Sequence, residues 1–141
     1  MSKIDIASAP QRTGSDYPKP YDLPCAKRHR TQLGDAAGLT DFGANLLRLP
    51  PGTWSSQRHW HDREDEFIYV VAGEVALVTD EGETVLKAGD CAGFAKNVAN
   101  GHHLINKSNG DALVLEVGTR TTDDVTMYAD IDMKYDPECG G

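Results

Sequence analysis

The sequence predicts an all-β fold, a sandwich or a barrel of short strands. Runs rich in β-branched and aromatic residues recur at intervals of roughly 8–12 residues, and Gly, Pro, Asn and Asp divide them. No long stretch keeps a strong helical period. The length of 141 residues is typical of one domain whose core can enclose a pocket.

Taken in order, the chain divides into three parts. Residues 1–25 are predicted to be an irregular arm, because four prolines interrupt any regular element there. Residues 26–120 form the predicted β-barrel, and residues 121–141 form an acidic C-terminal extension. The predicted strands are 26–33, 39–49, 53–61, 66–72, 74–79, 83–87, 91–95, 102–108 and 112–118, with 125–128 beyond the barrel. The segment 39–49 could also be read as a helix, but Gly43 and Asn45 in its middle favour a strand.

The charge and composition argue against several function classes. A formal net charge of −8 argues against a nucleic-acid partner, because phosphate backbones need a basic face. No run of roughly 18 apolar residues is present, which argues against a membrane span. Residues 1–5 lack the apolar core of a signal peptide. The three widely spaced cysteines agree with a cytoplasmic location, and Cys91 is expected to be a small buried residue.

A cluster of histidines and carboxylates indicates one metal site. The chain has only five histidines, and His59 and His61 form a His-x-His pair. Residues i and i+2 of a strand share a face, so both rings point inward and Trp60 points outward. Glu66 opens the next apolar strand and is the favoured carboxylate ligand, whereas Glu64 and Asp65 lie in the intervening turn. These two are expected to be solvated, or to orient a histidine.

The fourth ligand is expected from the adjacent pair His102 and His103. Neighbouring strand residues face opposite ways, so only one of them can join the site. His102 shares its face with Asn106, and His103 shares its face with Lys107, which is more easily placed outside. The pattern therefore favours His102 and leaves His103 as the alternative.

At these residues the sequence resembles the cupin superfamily. Its first motif, Gly-x5-His-x-His-x3–4-Glu-x6-Gly, is matched by His59, His61, Glu66 and Gly73, although six residues instead of five separate Gly52 from His59. The second motif, Gly-x5-Pro-x-Gly-x2-His-x3-Asn, is matched less closely.

Departures in the second motif leave the path of that loop open. Gly89 is in place, but Ala95 and Asn97 stand where the family has proline and glycine, and four residues instead of two precede His102. Asn106 then keeps the His-x3-Asn spacing, which again favours His102 over His103.

The resemblance implies a double-stranded β-helix, or jelly roll, with one divalent metal ion bound by three histidines and one glutamate. It also implies a homodimer. The expected ion is Fe, Mn, Ni or Zn. The resemblance does not fix a reaction, because the fold hosts oxygenases, isomerases, lyases and sugar-binding modules.

Two functions are compatible with this site. The favoured one is a metal-dependent enzyme, of dioxygenase, isomerase or lyase type, acting on a small oxygen-rich molecule. The alternative is a non-catalytic small-molecule or sugar-binding module with a structural metal. No separate general base is evident. The acidic balance favours a neutral or weakly charged substrate. Four arginines could still supply local positive charge: Arg48, Arg58, Arg63 and Arg120.

Overall fold

Antiparallel strands make up nearly all of the regular structure in this computed structural model, which describes residues 3–135. The helical elements are two 3-10 turns, Ile6–Ser8 and Leu23–Cys25, and the single-turn helix α1 (Leu33–Ala36). The strands are β1 (Gln11–Thr13), β2 (His29–Gln32), β3 (Phe42–Leu49), β4 (His59–His61), β5 (Glu66–Ala72), β6 (Glu74–Thr79), β7 (Gly82–Lys87), β8 (Cys91–Phe94), β9 (His103–Ile105), β10 (Ala112–Thr119), β11 (Thr126–Tyr128) and β12 (Lys134–Tyr135).

The strands form two facing layers. One layer is a six-stranded sheet in the order β1-β2-β3-β10-β5-β8. The other combines two three-stranded sheets, β12-β11-β4 and β7-β6-β9, which an isolated bridge between His59 and His102 connects. This architecture is the jelly roll that the sequence predicts. No helix among the described residues is long and apolar enough to cross a bilayer.

The core lies between the two layers, towards one end. The inward residues of the six-stranded sheet include one directly paired row, Leu47, Val114 and Val70, and all three are fully buried. Val75, Leu86 and Leu104 of the facing layer pack against this row. Ile68 and Val70 are buried, as strand alternation predicts, and Tyr69 between them is exposed.

Several strands differ in extent from the sequence-based expectation. The predicted strand 53–61 is regular only in β4, because Trp54 and Ser55 donate separately to Pro24 and Leu104 instead of to one ladder. The predicted strand 102–108 shortens to β9. Its end is fixed by Asn106, whose buried amide donates to the carbonyls of Leu49 and Gly110 in a turn.

The N-terminal arm is mostly irregular but adds β1 to the edge of the six-stranded sheet. Tyr17 holds the arm on the barrel through an edge-to-face contact with Tyr128 at 5.7 Å. The expectation that Cys91 is buried is wrong. Cys91 is exposed, because it pairs with Tyr69 on the outer face of the sheet. The last residues of the predicted C-terminal extension, 136–141, lie outside the described part of the chain.

Candidate metal centre

The four predicted ligands come from three places in the fold. His59 and His61 alternate along β4, which places both rings on the inner side of its layer. Glu66 is the first residue of β5 in the opposite layer. His102 stands just before β9 and forms a backbone bridge with His59, so its ring lies beside that of His59, with centroids 4.9 Å apart.

Three imidazole nitrogens converge on the carboxylate of Glu66. The Nε2 atoms of His59, His61 and His102 lie 3.3, 2.5 and 3.2 Å from its oxygens. Donor atoms of His59, His61 and Glu66 lie within 4.8 Å of one another. The structure therefore brings all four predicted residues together, and their role as metal ligands remains a prediction.

Hydrogen bonds on the far side of two rings favour a cation in this cluster. The Nδ1 of His59 lies 2.8 Å from the carbonyl of Gln57, which can only accept, so Nδ1 must donate. The Nδ1 of His61 likewise donates to Asp124, at 2.6 Å. In the neutral rings both Nε2 atoms then direct lone pairs at the Glu66 carboxylate. Such a donor set suits a divalent ion, and Asp124 and Gln57 occupy the positions from which hydrogen bonds usually orient metal-binding histidines.

The electrostatics of the cluster point the same way. Burial lowers the pKa of His61, but its contacts with Glu66 and Asp124 outweigh burial and raise that pKa to about 9. Burial would raise the pKa of Glu66, yet the contacts with His102, His59 and His61 hold it well below its usual range. Burial is the main cause that lowers the pKa of His102. These pKa shifts show that a positive charge beside the ionised carboxylate of Glu66 is stabilised in this cluster.

His102 and His103 have different surroundings. The ring of His102 stacks flat on Phe94, with centroids 3.6 Å apart, and its Nδ1 is buried without a hydrogen-bond partner among the described residues. His103 directs its Nδ1 to the carbonyl of Ser56, at 2.9 Å, and packs edge-on against Trp54. Only His102 of the pair therefore reaches Glu66.

The two carboxylates of the turn before β5 accept hydrogen bonds from backbone amides of other segments. Glu64 is half-buried and accepts from the amide and hydroxyl of Thr121. Asp65 is exposed and accepts from the amide of Lys96, at 2.8 Å. Glu64 nevertheless lines the cavity beside His61, with its Oε1 4.0 Å from Nδ1 of that ring.

A cavity of about 380 Å³ opens onto the four residues. It exists because the sheet lacks side chains beside Glu66. Glu66 pairs with Gly118 of β10, and Gly118 pairs with Gly43 of β3, so two glycines occupy the inward positions of this row.

The next row of the same face is polar. Glu116 stands between Ile68 and Asn45, and Gln32 follows Asn45. Arg30 pairs with both oxygens of Glu116, and the amide of Asn45 donates to Glu116 at 3.2 Å. The cavity wall therefore holds a half-buried, firmly oriented carboxylate, which the sequence analysis did not identify as part of the site.

Two functional candidates, Asp124 and Glu116, were missed for different reasons. Asp124 lies 63 positions from its partner His61, within an acidic extension, and nothing local marks it. Glu116 did carry a signal, because it is the one charged residue in the apolar strand 112–118 and is in phase with Val114. A lone charge at an inward strand position indicates a site rather than a core.

The chain shares this architecture with solved structures. A sugar phosphate isomerase of the cupin superfamily from Silicibacter pomeroyi is 43% identical, with 96% of this chain and 88% of that chain covered and a TM-score of 0.92. A protein named as a candidate sugar phosphate isomerase, from Acidithiobacillus ferrooxidans, is 33% identical over 73% of this chain and 65% of its own, with a TM-score of 0.70.

More distant structures share the fold alone. The polyketide cyclase RemF from Streptomyces resistomycificus is 16% identical, with a TM-score of 0.72 over 97% of this chain and 89% of its own. No functionally curated protein matches the sequence significantly. The family model of the cupin domain matches residues 45–118, which span β3 to β10 and include all four predicted ligands. The chain therefore belongs to the cupin family.

Proposed function

We propose that this protein is a metal-dependent enzyme that isomerises a small phosphorylated sugar. One divalent ion, Fe, Mn, Ni or Zn, is bound by His59, His61, Glu66 and His102. The observation that carries the proposal is the convergence of three imidazole nitrogens on one carboxylate at the wall of a cavity.

The choice of isomerisation over oxygenation or lysis rests on the similar structures from Silicibacter pomeroyi and Acidithiobacillus ferrooxidans. Both bear names of sugar phosphate isomerases, and the first aligns with nearly the whole of this chain. The polar row of the cavity supports a hydroxylated substrate, because Glu116, Asn45 and Gln32 offer donors and acceptors where a core would be apolar.

The metal would polarise a substrate carbonyl or hydroxyl oxygen as a Lewis acid. The chain's own residues would orient the metal ligands and leave space for the substrate. His59 and His61 are fixed in orientation by Gln57 and Asp124, and Phe94 packs against the third imidazole. Gly118 leaves space for the sugar directly beside Glu66.

Interconversion of an aldose and a ketose moves a proton between adjacent carbons and needs a group that accepts and returns it. We assign this role to Glu116. It is a diagonal cross-strand neighbour of Glu66, roughly 7–8 Å away on the same face of the sheet, and both residues line the cavity. Arg30 and Asn45 orient its carboxylate.

The test is an assay of the metal-loaded protein with a panel of aldose and ketose phosphates in D2O, followed by NMR. We expect one aldose–ketose pair to interconvert with deuterium entering the migrating position. Glu116→Gln should keep its metal and lose about 10²–10⁴-fold in turnover. Tight ligand binding without any interconversion would support the non-catalytic binding module instead.

We also propose that the protein is a homodimer and that it acts in the cytoplasm. The outer face of the six-stranded sheet supports the dimer, because Phe67, Tyr69 and Val71 of β5 are 43%, 41% and 45% exposed. Apolar residues of β10 flank this stripe. An exposed apolar sheet face of this kind is typical of protein interfaces.

A further inference from the structure

Arg120 lines the cavity with a side chain that is 46% exposed. It follows β10 and lies next to Gly43, where an added Cβ would stand 3.1 Å from Arg120 Nη2. Gly43 occupies an inward position in the row of Glu66, so this space belongs to the interior face of the sheet. The absent side chain of Gly43 is thus replaced by the charged group of Arg120.

The position of Arg120 relative to the candidate metal ligands suits a substrate with two polar ends. Gly43, Gly118 and Glu66 are direct neighbours on three adjacent strands. Two strand spacings separate Gly43 from Glu66, which is roughly 10 Å. A sugar that binds near Glu66 through oxygens at one end could therefore bring a phosphate at its other end to Arg120.

The charges of the cavity leave this arginine available to an anion. Of the other two arginines that line the cavity, Arg30 pairs with Glu116 and Arg12 pairs with Asp16. Arg120 donates only Nη1 to Asp35, at 2.7 Å, and Asp35 does not line the cavity. Within residues 3–135 the Nε and Nη2 groups of Arg120 have no hydrogen-bond acceptor. A planar guanidinium with free N–H groups is well suited to a phosphate.

We propose that Arg120 binds the phosphate group of the substrate, at the end of the cavity opposite Glu66. This assignment rests on the proposed function for the identity of the substrate. It departs from the neutral substrate that the net charge of −8 favours, because the local charge of a cavity can differ in sign from that of the whole molecule.

The experiment is a calorimetric titration of the full chain, as purified, with inorganic phosphate. We expect Arg120→Ala to weaken phosphate binding at least tenfold while the metal content stays unchanged. The matched control is Arg63→Ala, which removes the same charge from a residue that is 60% exposed, pairs with Asp123 and lies outside the cavity. That variant should bind phosphate like the wild type.

A second variant tests the location without removing the charge. Gly43→Ala puts a methyl group 3.1 Å from Nη2 and should displace the guanidinium by a few tenths of an ångström, so phosphate binding should weaken, but by less than in Arg120→Ala. Wild-type affinity in Arg120→Ala, or no phosphate binding by the wild type, would overturn the assignment. Metal content is measured in parallel, so that failure of the phosphate site can be distinguished from failure of the proposed function. A wild-type chain that contains metal but does not bind phosphate would contradict the phosphate site and leave the proposed metal site standing.

Discussion

Asp124 determines how His61 presents its ring. One oxygen of Asp124 accepts from Nδ1 of His61 at 2.6 Å, and the other accepts from the amide of Arg63 at 2.9 Å. The carboxylate is buried, so both acceptors are fixed in place. In the neutral ring this arrangement keeps the proton on Nδ1, so Nε2 is the nitrogen of His61 that could bind a metal.

Asp124→Asn should therefore weaken metal binding about 10–100-fold. The amide oxygen of the new side chain is needed by the amide of Arg63, so its NH2 group faces Nδ1 of His61 and forces the proton to Nε2. Competition with a coloured chelator measures the effect. Asp123→Asn is the matched control, because Asp123 is 49% exposed and pairs only with Arg63. Equal affinity in both variants would contradict the role given to Asp124.

The sequence could predict some of these side chains and not others. His59, His61 and Glu66 followed from strand phase and short spacing, which are local properties of the chain. For the fourth residue the sequence required a choice between His102 and His103, and in the structure His102 points towards Glu66. Asp124 could not be predicted, because its position depends on β11 pairing with β4, a contact that no local pattern encodes.

The turn between β5 and β6 sets the register of the strand that carries Glu66. Gly73 has φ +75°, a conformation that side chains rarely adopt. An added Cβ there would lie 2.6 Å from the carbonyl oxygen of Asp111 and 2.9 Å from Cα of Ala112. The first cupin motif ends on this glycine because β10 passes directly against the turn.

Gly73→Ala should destabilise the fold by at least about 1–3 kcal/mol, since backbone strain and a backbone clash add. Chemical denaturation with circular dichroism measures the change in the free energy of unfolding. Gly110→Ala is a suitable control, because a Cβ at Gly110 meets nothing within 4 Å and its φ is not positive. Equal stability of the two variants would show that the close approach at Gly73 is not a constraint.

The two ends of the space between the layers differ in character. The space between them holds the apolar core at one end and the candidate metal centre with its cavity at the other. Binary patterning predicted an all-β sandwich or barrel, and β5 and β6 occur with the expected bounds; the jelly roll was implied by the resemblance to the cupin superfamily. Patterning could not predict the cavity, because that space depends on Gly43 and Gly118 pairing across β3 and β10.

The proposed homodimer can be tested by changing the exposed stripe on β5. Tyr69→Lys places a charge in the middle of the exposed apolar stripe on β5 and should shift the mass in light scattering from dimer to monomer. Val85→Lys, in β7 of the other layer, alters a residue that is 57% exposed and should leave the dimer intact. A wild-type protein that is monomeric at assay concentrations would contradict the dimer.

The metal content of the purified protein tests the central claim most directly. Mass spectrometry of the wild type and of His59→Ala, both purified without added metal or chelator, compares the metal bound per chain. We expect about one divalent ion per wild-type chain and a large loss in the variant, because three imidazoles and one carboxylate form the site. A folded wild type without bound metal, or a His59→Ala variant with the wild-type amount, would contradict the account.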